Sequence, residues 1–176
     1  MSQTTLDIKE PGLNVLPPGV ERHVVNAGGL TGLQIFPDDE IEIINEEGNQ
    51  ICEIICFDKD GKSELGILNQ KENCKKSFIK ELLKGKDESS LITNLQLKKR
   101  NLDINKSKSS ILFDEQTPSG EKIKIKSKDK CYAIFAAPQN NMLVSEQNPS
   151  SDLTLFIKRY KIVNDKELSI IPDPIY

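Results

Sequence analysis

Glu40-Ile41-Glu42-Ile43-Ile44-Asn45, Glu46-Glu47-Gly48-Asn49 and Gln50-Ile51-Cys52-Glu53-Ile54-Ile55-Cys56-Phe57 form the stretch that decides the fold. Charge alternates with isoleucine on the first arm, the period of two by which a strand turns one face to water and the other to a core. The second arm is apolar and reads as a buried strand, with Gly48 in the connection between the two. Together they predict a β-hairpin at the edge of a core. Asp58-Lys59-Asp60-Gly61-Lys62 closes the second arm.

Upstream, His23-Val24-Val25-Asn26 predicts a short strand, broken by Ala27-Gly28-Gly29 before a second from Leu30 to Phe36. Pro37-Asp38-Asp39 is the next turn, and residues 1–19 read as an extended lead-in. Downstream the period changes. In Glu72 to Leu83 the apolar Cys74, Phe78, Leu82 and Leu83 recur at helical spacing, with Gly85 where a C-cap glycine belongs. A second helix is predicted from Ser89 to Lys99, with Asp87 or Ser89 as N-cap and Lys98-Lys99-Arg100 at the end where cations suit the dipole.

Strand patterning returns at Ile111-Leu112-Phe113, Lys122 to Lys126, Cys131 to Ala137 and Leu153 to Ile157. The predicted fold is mainly β with some α (α+β): an antiparallel β-sandwich or barrel with a two-helix insertion. One β-rich domain is expected over 20–171, its insertion at about 70–100, followed by an extended, linker-like end at 172–176.

The chain has 176 residues and a formal net charge of −3. That weak acidity argues against nucleic acid as the main partner, since phosphate-tracking surfaces are basic. No apolar run approaches the roughly 20 residues that span a bilayer, and the N-terminus lacks a basic and apolar leader. A cytoplasmic protein with no membrane partner is expected, its oligomeric state open.

Chemistry-bearing residues are few. His23 is the single histidine, and Cys52, Cys56, Cys74 and Cys131 show no C-x-x-C spacing. On an extended strand Cys52 and Cys56 stand about 13 Å apart, too far for a disulfide or a shared metal. Gly61-Lys62-Ser63 fails as a phosphate loop, because Cys56 occupies the first glycine position and Asp58 and Asp60 bring negative charge. Asp58-x-Asp60-Gly61 lacks the remaining calcium-loop ligands. Lys122, Lys124, Lys126 and Lys128 alternate with isoleucines and suit an edge strand guarded by lysines. Glu53 stands out: a carboxylate within an apolar strand must be paired, exposed or functional. Glu53 and His23 are therefore the catalytic candidates, with the Gly28-Gly29 turn as a neighbour. No cofactor or metal ligand is assigned to this chain.

Several phrases carry a resemblance: Leu16-Pro17-Pro18-Gly19-Val20-Glu21-Arg22, Ala27-Gly28-Gly29, the stretch from Glu42 to Asp60, Ala136-Ala137-Pro138-Gln139-Asn140-Asn141-Met142, and Glu146 to Leu153 running into Phe156-Ile157-Lys158-Arg159. This combination resembles the N-terminal region of long aminomethyltransferase-like proteins related to the glycine cleavage T-protein, where modules similar to the urea carboxylase-associated family precede a transferase domain. Gly48-Asn49-Gln50-Ile51-Cys52-Glu53-Ile54 is similar to that family's G-x-q-v-a-D-l phrase, with Glu53 for the aspartate. The resemblance implies a non-catalytic module whose partner is a downstream catalytic domain of the same polypeptide, with tetrahydrofolate bound only there. The family's later His-Asp and cysteine motifs have no counterpart in this sequence. The alternative expectation is a stand-alone small-molecule-binding protein or enzyme of the urea carboxylase-associated type.

Overall fold

The computed structural model describes residues 16–74, 76–139 and 150–160. The expected lead-in before residue 16 and the extended end at 172–176 lie outside the described residues. Within these, the strands are β1 (Val20–Val25), β2 (Leu30–Ile35), β3 (Glu40–Asn45), β4 (Cys52–Asp58), β5 (Ser109–Phe113), β6 (Glu121–Lys126), β7 (Cys131–Ala136) and β8 (Leu153–Lys158). They form two four-stranded sheets, β1-β8-β3-β6 and β2-β7-β4-β5. Every pairing is antiparallel. The chain changes sheet at each connection except β4 to β5, which carries the helices. This strand order is that of a double-sheet jelly roll.

The sequence-predicted hairpin is not formed. β3 pairs with β6 and β8, whereas β4 pairs with β5 and β7 in the other sheet. The two arms of a hairpin share both faces, and these arms have different needs. On β3, Ile41 and Ile43 are buried while Glu40 is exposed. On β4 all residues from Cys52 to Phe57 are buried, so it needs cover on both sides. The turn therefore arches between sheets through left-handed Gly48 (φ 78°) and Asn49 (φ 59°). It is held by hydrogen bonds from Asn45 Nδ2 to the Gln50 carbonyl (2.8 Å) and from Asn49 N to the Thr117 carbonyl (2.7 Å).

The core between the sheets is apolar. Leu33, Ile35, Ile41, Ile43, Cys52, Ile54, Cys56, Phe135, Leu155 and Ile157 are among its members, each 1% exposed or less. A second apolar layer covers the outer face of the β2-β7-β4-β5 sheet, where Ile55, Phe57, Tyr132 and Ile134 meet Ile79, Leu83 and Leu97 of the helical insertion.

The first helix, α1 (Phe78–Leu82), is shorter than the periodicity of residues 72–83 predicts. Ser77 caps it by accepting from Lys80 N, which fixes the start there and leaves Cys74 outside, bridged to Ser109. The second, α2 (Glu88–Lys99), starts after Asp87, whose carboxylate accepts from the hydroxyls of Ser89 and Ser90. The lysine-rich strand β6 lies at a sheet edge. Among the described residues, no helix is long and apolar enough to cross a membrane.

Gly32 faces the Tyr132 side chain across the β2-β7 pair, and a Cβ there would overlap the hydroxyl and stand 2.6 Å from Cζ. Gly32→Ala forces the ring aside in a packed layer, and such overpacking costs about 1–3 kcal/mol. Urea unfolding of the variant tests this. A midpoint equal to wild type would show that the ring has room to move.

Candidate functional site

Glu53 is fully buried, and the residues above it explain why. It lies on the face of β4 that supports α1, and its carboxylate accepts from the Ser77 hydroxyl (2.5 Å), Phe78 N (2.6 Å) and Ile79 N (3.0 Å). Those backbone groups are orphan donors of the first helical turn, so Glu53 anchors the helix to the sheet with both oxygens engaged. His23 belongs to the other sheet, where its Nε2 pairs with Glu21 Oε1 at 2.9 Å. The two candidates share no hydrogen bond or ion pair. The Gly28-Gly29 turn is tied elsewhere: Gly28 N donates to the Ala137 carbonyl and Gly29 N to the Asn26 carbonyl.

The cysteines are no closer to nucleophiles. Burial, with the Glu53 charge, pushes the Cys52 thiol up. A hydrogen bond with Cys131, then burial, does the same for Cys56. All four described cysteines are free thiols, and no group of three His, Cys, Asp or Glu side chains among the described residues suits a metal ion.

What the structure does assemble is a charge network at one end of the sandwich. Arg159 forks onto Glu21 through Nε (3.0 Å) and Nη2 (3.1 Å), and its Nη1 reaches Asp39 (2.8 Å) and the Gln34 carbonyl (2.7 Å). Asp39, fully buried, also accepts from Phe36 N (2.9 Å) and Tyr160 N (3.0 Å). Burial pushes the Glu21 carboxyl up, but hydrogen bonds from His23 and Arg159, with the Arg159 charge, outweigh it and leave the group at about 2. Burial likewise opposes the Arg159 charge, and its two carboxylates more than restore it.

The network sets the end of a groove. Strand alternation sends Glu21, Asp39 and Arg159 inward, and their chain neighbours Val20, Glu40 and Lys158 outward onto the exposed face of the β1-β8-β3-β6 sheet. Register places Val20, Lys158, Glu40 and Lys126 in one cross-strand row, and Arg22, Phe156, Glu42 and Lys124 in the next. The groove over these rows has a volume of about 450 Å³. One aromatic ring, two carboxylates and three lysines line it. Lys124 and Glu42 stand 3.9 Å apart in a loose, solvated pair. Sequence reading assigned Lys124 and Lys126 to edge protection and passed over Glu40, Glu42 and Phe156. The available signal was the alternation of Glu40 and Glu42 with isoleucine, which marks them as outward neighbours.

Fold and groove thus define a jelly-roll sandwich with an apolar core between its sheets and a mixed-charge groove on an outer face. No family profile matches the sequence. The chain is 32% identical over 168 residues to a trimethylamine-oxide aldolase of Ruegeria pomeroyi, an alignment covering 96% of this chain and 21% of that protein. It therefore spans about a fifth of that relative's length. Among solved structures, a DUF1989 family protein of Silicibacter pomeroyi has a TM-score of 0.47 and 11% identity over 84% of this chain and 82% of that one.

The relative corrects the resemblance drawn from the sequence. Its name is that of an aldolase, and the likeness runs over nearly the whole of this chain. The readings as an aminomethyltransferase-like, T-protein-related module and as a transferase are withdrawn, and the expected partner, a downstream transferase domain, falls with them. The phrases behind that resemblance are turns and strands, which carry packing rather than a reaction.

Two outcomes test this geometry. Glu53→Gln leaves one oxygen to accept from Phe78 N and Ile79 N and sets an amide N–H₂ against the Ser77 hydroxyl; a stability loss of about 1–3 kcal/mol is expected by chemical denaturation. Glu21 bears on acid stability. Its folded pKa of about 2 lies below the ordinary 4.5, so its contribution is complete above pH 4.5 and lost as pH falls toward 2. Unfolding free energies measured across that window decline in the wild type, and Arg159→Gln flattens the part owed to Glu21.

Proposed function

We propose that this chain binds a small methylated amine oxide in the groove over Phe156, within the cytoplasm. The observation that carries the reading is the 32% identity over 168 residues to a protein named for trimethylamine oxide. The groove's chemistry supports it. Such a compound joins a cationic nitrogen clothed in methyl groups to a single anionic oxygen. Methylated cationic nitrogen is attracted to an aromatic face and to carboxylates, here Phe156 with Glu42 beside it. The oxide oxygen is a strong acceptor for an ammonium, and Lys158 and Lys126 flank Glu40 in the adjoining row. Four free thiols suit a reducing compartment. Of the two expectations from the sequence, this develops the small-molecule-binding one.

Calorimetric titration of the chain with trimethylamine oxide is the test. Saturable binding is expected, weakened roughly threefold to thirtyfold by Phe156→Ala, the equivalent of about 0.5–2 kcal/mol for a cation on an aromatic face. Absence of binding to a folded chain, or equal binding by Phe156→Ala and Glu42→Gln, refutes the assignment to this groove.

A further inference from the structure

A second cleft, of about 290 Å³, opens where the turn after β4, the end of α2 and the start of β7 meet. Lys59, Arg100 and Lys130 bring three positive charges to its walls against Asp58 and Asp60. Asp58 is turned into its own loop, its Oδ1 accepting from Asp60 N and Lys62 N at 2.9 Å each. The balance is cationic on a chain whose net charge is −3.

Arg100 lines the cleft. Its guanidinium stacks on the Tyr132 ring, 4.6 Å from the centroid, which fixes the plane of the fork. Tyr132 is in turn held against Gly32, where any side chain would collide with it. Among the described residues Arg100 forms no ion pair, and its Nε is buried without a hydrogen-bond acceptor. The contrast with Arg159 is direct: there the Nε edge is matched by a carboxylate at 3.0 Å. A planar guanidinium with no carboxylate partner is shaped to take the oxygens of one anion.

We propose that this cleft binds a small oxyanion, a carboxylate or a phosphate group, on the Arg100 guanidinium. Lys59 lends long-range attraction, and the Lys130 ammonium, 5.8 Å over the Phe36 ring, stands further off. The site is separate from the groove over Phe156 and does not depend on what that groove holds.

The test is an NMR titration of the isotopically labelled chain with acetate and, separately, inorganic phosphate, at ionic strength held constant with chloride. A saturable shift of the Arg100 Nε–H resonance is expected with at least one of them. Response to acetate alone assigns the site to an organic acid, and response to phosphate alone to a phosphorylated compound. Arg100→Gln should weaken binding at least tenfold, as read from the Tyr132 ring signals, while Phe156→Ala leaves it unchanged. Should Arg100→Gln fail to fold, Arg100→Lys keeps the charge without the fork and is expected to weaken binding several-fold. An unmoved Nε–H resonance with both anions, or undiminished binding in the folded Arg100 variants, overturns the proposal.

Discussion

The Arg159 guanidinium holds one end of this sandwich together. Its fork closes on Glu21 of β1, its Nη1 on Asp39 before β3 and on the Gln34 carbonyl of β2, and it follows directly on β8. One side chain thus joins both sheets and three crossings of the chain. A buried ion pair of this kind adds little over a well-packed apolar substitute, because both charges gave up water to make it. Its force is in specification: with Arg159 removed, buried Asp39 loses its cationic partner, and strand ends that slip out of register lose theirs. The same alternation then sends Val20, Glu40 and Lys158 to the opposite face, so the groove inherits its geometry from the network beneath.

Between the sheets the described core is built of isoleucine, leucine, phenylalanine and small cysteines. The groove and the cleft described above lie outside it, on cross-strand rows and at the seam between helices and sheet. The two regions differ in character. The groove over Phe156 is mixed in charge. The cleft at Arg100 is smaller and has one planar cation in its wall.

Much of the fold was legible from residue pattern. Period-two alternation located most of the strands, and the double-sided apolar run from Cys52 to Phe57 correctly marked a strand with no wet face. What that run could not reveal was its partner. Adjacent arms separated by a glycine turn read as a hairpin, and the distinction between hairpin and arch lies in how many faces each arm must bury, while the strands that pair with these arms lie 54 to 118 positions away. Helix α1 was overextended for a related reason, since Glu53, remote in sequence, takes the amides that open it. The candidate site was less legible. A carboxylate in an apolar strand read as paired, exposed or functional, and nothing local indicated that it would meet a helix terminus. The Arg159 network joins residues up to 138 positions apart and leaves no local motif.

The order in which the strands meet has a cost during synthesis. Val20 finds its partner in Lys158, so β1 leaves the ribosome long before β8 exists. At about 5–20 residues per second the interval is roughly 7–28 s. Throughout it β1 lacks its partner and β3 lacks one of its two, so the sheet over Ile41 and Ile43 stays open. The lysines of β6, which is made before β8 and pairs with the other edge of β3, give that half-built sheet a charged border while β8 is still to come.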